Sequence, residues 1–67
     1  MPWNEQYYPI SMRHLPPLVR SKAVEIANAL LADGHDEGSA IRIAIARAKE
    51  WAARRGLLPE DAPGDTP

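Results

Sequence analysis

Two stretches of this chain repeat their apolar residues at spacings of three and four, and only residues 33–36 separate them. In Pro17–Ala32, Val19, Ala23, Ile26, Ala27 and Leu30 form one stripe, widened by Val24 and Leu31, while Ser21, Lys22, Glu25 and Asn28 fall opposite. Pro17 suits a first helical turn, where its missing N–H costs nothing, and Gly34 stands where a left-handed residue closes a helix. Over 37–55 the pattern is stronger. Ala40, Ile41, Ala44, Ile45, Ala48, Trp51 and Ala52 share one face, and Arg42, Lys49, Glu50 and Ala53 share the other. Asp36 is placed to cap that helix, with Glu37 at the positive end of its dipole, and Gly56 closes it. Glu50 and Arg54 are spaced for an i,i+4 ion pair. Two long stripes joined by so short a link predict an antiparallel helical hairpin.

The hairpin has little to bury. The chain is 67 residues long and 45% hydrophobic, but eleven of its apolar residues are alanine, which removes little surface from water. A core at this size supplies about 3–5 kcal/mol unless a disulfide, a metal or a second chain reinforces it. There is no cysteine, which excludes disulfides and thiolate zinc sites and leaves self-association or a protein partner as the expected reinforcement. No run approaches the roughly 18 apolar residues of a membrane span, and Met1-Pro2-Trp3-Asn4-Glu5-Gln6 is unlike a signal peptide, so a cytoplasmic protein without membrane insertion is expected.

The flanks differ in kind. Trp3, Tyr7 and Tyr8 are three of the four aromatic residues and stand in the first sixteen positions. Pro9 and Pro16-Pro17 bracket Ile10-Ser11-Met12-Arg13-His14-Leu15, which is long enough for a short helix or turn. An aromatic arm and that turn are expected to cover the open side of the hairpin, giving one small domain over 1–58. The remaining residues, 59–67, hold three prolines, a glycine and three acids, too little apolar surface to offset ordering, and are expected to be disordered.

Charge is segregated within a net of −1. Residues 38–56 carry +4, and both the 33–37 segment and the last eleven residues carry −3. Arg42, Arg47, Lys49 and Arg54 are therefore candidate nucleic-acid contacts, although a sequence pI near 6.0 and the acidic tail oppose that use. His14 and His35 have no second histidine at i+3 or i+4, and helix capping accounts for Asp33, Asp36 and Glu37, so no metal is expected. Ser11, Ser21 and Ser39 have no neighbouring base in the sequence, and Asp33-Gly34-His35-Asp36-Glu37-Gly38 is too acidic and lacks the preceding strand of a phosphate loop. No catalytic residue, cofactor or small-molecule substrate is implied.

Several positions together carry a resemblance. Met1-Pro2-Trp3, Tyr8-Pro9-x-Ser11, Val19-Arg20-x-Lys22-Ala23, Ile26-Ala27-Asn28-Ala29, Glu37-Gly38-x-Ala40-Ile41 and Ala48-Lys49-Glu50-Trp51-Ala52 resemble the YdaT-type family of uncharacterised bacterial proteins over about residues 1–55. A weaker pattern, Pro9-x-Ser11, Leu15-Pro16, Asn28-Ala29, Ala44, Ala48 and Trp51, is similar to the ChaB family of cation-transport regulators, without that family's histidine in the last helix. The resemblance implies a small helical domain and supplies no catalytic residue.

The expectation is thus an all-α, three-helix small domain: a short N-terminal helix or turn, an antiparallel pair of helices and an acidic tail. It is expected to be non-enzymatic, a protein-interaction or regulatory module or a homodimer. Trp3, Tyr7, Tyr8 and Ile43 are the candidate partner surface. Weak nucleic-acid binding and ChaB-like regulation of cation transport are the alternatives.

Overall fold

In the computed structural model residues 2–57 are described; the expected tail, 59–67, lies outside the described residues, as does Leu58. Among the described residues the chain is helical and without strands: a 3₁₀ turn at Ile10–Met12, helix α1 at Pro17–Ala32 and helix α2 at Glu37–Arg54. The N-terminal element is therefore a single turn. Six residues between Pro9 and Pro16 are too few to nucleate an α-helix, and Pro16 disfavours helical geometry at Leu15.

The ends of both helices follow from local chemistry. Pro17 opens α1, and the Asp36 carboxylate accepts from the Ser39 amide at 3.1 Å to open α2; such a cap contributes about 1 kcal/mol. Gly34 and Gly56 have φ of 103° and 71°, a region that penalises any side chain. Each closes its helix with a pair of reversed hydrogen bonds. The His35 and Gly34 amides donate to the Leu30 and Leu31 carbonyls at 3.0 Å each, and the Leu57 and Gly56 amides donate to Ala52 and Ala53 at 2.8 and 3.1 Å. The expected Glu50–Arg54 ion pair is not formed; among the described residues the pair within reach is Lys22–Glu25, at 3.2 Å and largely solvated.

The core is small-residue packing. Ala40, Ala44, Ala48 and Ala52 on α2 are fully buried, as are Val19, Ala23 and Ala27 on α1, and the two helices pack on each other along these rows. Ile26, Leu31, Ile41, Ile45 and Trp51 are half-buried at the margins. Larger volume comes from Trp3, Met12 and Leu15. The arm and turn are thus part of the core rather than a cover over it.

Candidate partner surfaces

What positions the surface residues is the way the arm is fastened to α1. Asn28 stands on the polar side of the α1 periodicity, yet it is only 7% exposed. Its side chain grips the Trp3 backbone at both ends: the Trp3 N–H donates to Oδ1 at 3.3 Å, and Nδ2 donates to the Trp3 carbonyl at 3.0 Å. A primary amide presents the same donor and acceptor as a peptide group, so one asparagine pairs both polar groups of an irregular stretch of backbone. Asn28, set opposite the apolar stripe by the helical period, is nevertheless buried because the Trp3 segment of the arm lies against it.

Further fastenings lie along the same edge. The Ser21 hydroxyl donates to Glu5 at 3.0 Å. Arg20 donates to the Arg13 and Leu15 carbonyls at 3.2 and 3.1 Å, and its guanidinium lies 4.7 Å from the centre of the Tyr8 ring. Asn4 folds the arm on itself, its Oδ1 accepting from the Gln6 and Tyr7 amides at 2.8 Å each.

This scaffold divides the candidate partner residues. Trp3, at 8% exposed, belongs to the core, and its ring is removed from any partner surface because the Asn28 clip draws it inward. Tyr8 is half-buried under Arg20, and Ile43 is half-buried on α2. Tyr7 is 68% exposed. Ile10, which the sequence reading left out of the partner set, is 79% exposed, and its position at the first residue of the 3₁₀ turn, after a proline, is the signal that could have found it.

Arg42, Arg47, Lys49 and Arg54 are all exposed on α2. Asp33, His35, Asp36 and Glu37 are exposed in and beside the link, Asp36 serves as the cap, and no group of three or more His, Cys, Asp or Glu among the described residues is arranged to hold a metal. No described helix is long and apolar enough to cross a membrane.

Set against known proteins, the chain is similar to the uncharacterised protein YdaT of Bacillus subtilis (strain 168), with 52% identity over 52 residues. The match takes in 78% of this chain and 35% of that protein, so the chain spans about a third of the length of the curated relative it matches. No protein-family model matches the chain. No solved structure matches it. The ChaB-like spacing consequently has no support beyond the residues that carry it.

Proposed function

This chain belongs to the YdaT-type family over its 52 matched residues, and on that premise we propose that it is a non-enzymatic protein-interaction module of the bacterial cytoplasm. The contact is centred on Tyr7 and Ile10. One observation carries the reading: the fold buries alanines and leaves these two large apolar side chains, 68% and 79% exposed, in water on a segment held in place from behind. Leaving such groups solvated forgoes about 1.5–3 kcal/mol each that burial would return. Aromatic and branched side chains on a pre-fastened backbone are also the residues that anchor interfaces at low ordering cost.

The same reading takes α1 and α2 as an antiparallel hairpin. In support, Lys22 near the start of α1 lies 5.3 Å from the centre of the Trp51 ring near the end of α2. A second copy of the chain is the first partner to test. Sedimentation velocity from micromolar to millimolar protein is expected to show concentration-dependent association that Tyr7→Ser/Ile10→Ser abolishes. A strict monomer throughout, with the parent and the double variant capturing the same proteins from a bacterial lysate, contradicts the proposal.

Nucleic-acid binding through Arg42, Arg47, Lys49 and Arg54 is the second reading, favoured by their shared exposure on α2 and opposed by Glu50 beside them and by the acidic residues 60, 61 and 65.

A further inference from the structure

Leu18 is the one large apolar side chain of α1 that stands exposed, at 62%. Lys22, Glu25, Ala29 and Ala32 follow it at spacings of four, three, four and three, so the five residues run down one side of the helix. Two open grooves lie along that side and meet at Glu25, which lines both. The first, of about 420 Å³, is walled by Leu18, Lys22 and Trp51; the second, of about 560 Å³, by Pro2, Ala29, Leu31 and Ala32. The second is apolar, since the Asn28 amide at its edge is engaged with the Trp3 backbone.

Charge divides this side into two unlike ends. Beside Leu18, the Lys22 ammonium and the Arg55 guanidinium stand 5.3 and 5.2 Å from the centre of the Trp51 ring, and Arg54 is exposed next to Arg55. Beyond Ala32 the chain runs into Asp33, Asp36 and Glu37, all exposed. The side is therefore complementary to itself. Leu18 and Ala32 lie seven residues before and after Glu25, about 10 Å along the helix in each direction. A second copy laid antiparallel about a two-fold axis at Glu25 brings each Leu18 to the other's apolar groove and each acidic link to the other's cations. A parallel copy sets Leu18 on Leu18 and like charges together.

We propose that two copies of the chain pair in this antiparallel way, α1 against α1. Leu18 of each is seated between Pro2, Ala29 and Ala32 of the other, and Asp33 and Asp36 of each face the other's Arg54 and Arg55. The Glu25 carboxylates meet near the axis, each balanced by its own Lys22 at 3.2 Å. The pairing rests on the self-association reading above and gives it a second face and a geometry. The Tyr7–Ile10 segment borders the Leu18 end of α1, because the arm is tied there on either side of Tyr7. Glu5 accepts from Ser21 at 3.0 Å and lines a groove with Leu18, and Tyr8 lies under Arg20.

Because the chain has no cysteine, single cysteines in the full chain report the pairing by disulfide cross-linking in a glutathione redox buffer. Glu25→Cys is expected to link to itself severalfold faster than Ala46→Cys, which is exposed on α2. Leu18→Cys and Ala32→Cys are expected, when mixed, to link to each other severalfold faster than either links to itself. Leu18→Asp places an acid in the first turn of α1, where the helix dipole favours it, and is expected to abolish the association seen by sedimentation velocity. Equal rates for Glu25→Cys and Ala46→Cys, or Leu18→Cys linking to itself as fast as to Ala32→Cys, overturn the pairing. Association that survives Leu18→Asp but is lost in Tyr7→Ser/Ile10→Ser overturns the pairing alone and leaves the Tyr7–Ile10 contact standing. Association lost in Leu18→Asp but kept in the double variant upholds the pairing and removes Tyr7 and Ile10 from the contact.

Discussion

Trp3→Ala is expected to cost about 3–5 kcal/mol of folding stability, a loss as large as the whole stability of a domain this size, so that most of the chain unfolds at room temperature. The indole is the largest side chain in a core otherwise made of alanine, valine, Met12 and Leu15. The alanines and valines of that core are too short to collapse into the space. The loss also propagates through the backbone. With the ring gone, the Trp3 peptide held by Asn28 has little reason to stay, and Asn28 is left buried beside an arm that no longer pairs with it. Chemical denaturation followed by circular dichroism measures the effect. Ile10→Ala, on the same segment but 79% exposed, is the comparison and is expected to change stability by no more than about 0.5 kcal/mol. Equal losses for the two variants would show that the arm contributes by composition alone.

Ala48→Leu is expected to destabilise by about 2–3 kcal/mol, although it adds apolar surface to a protein short of it. Ala48 is fully buried in the row Ala40, Ala44, Ala48, Ala52, where α2 meets Val19, Ala23 and Ala27 of α1. Small side chains on both faces let the backbones approach, and a leucine inserted between them must force the helices apart along their length. Ala46→Leu, on the exposed side of the same helix, is expected to stay within about 0.5 kcal/mol. Urea midpoints for the pair separate two explanations of the alanine content. If both variants are stabilising, the core is loose and underfilled; if only the buried one destabilises, the core is close-packed, as the structure indicates.

The two α-helices were legible because their information is local. Periodicity placed the stripes, Pro17, Asp36, Gly34 and Gly56 marked the ends, and the observed spans agree with the expected ones to a residue. The arm was legible only as a collection of aromatics with somewhere to go. Its course depends on contacts 25 residues apart, between Trp3 and Asn28, and nothing in a helical period distinguishes an asparagine that faces water from one that pairs with a distant peptide. For the same reason Trp3 read as a surface anchor when it is a core residue, and Ile10 read as part of a short helix when it projects from a turn. The basic side chains of α2 were visible at once, since charge on the solvated side of a helix is a property of the sequence alone. What such a face touches depends on a partner surface that no period in this chain encodes.

The functional reading rests on the arm's being part of the fold: only if Trp3 is fixed by Asn28 are Tyr7 and Ile10 held outward as a surface instead of trailing in solvent. Native-state hydrogen exchange at the Trp3 amide tests this most directly. That amide is expected to exchange at the rate of the Ala27 and Ala44 amides at the centres of the helices, opening only with global unfolding. Exchange as fast as at the exposed Glu5, while the helices stay protected, would contradict the account.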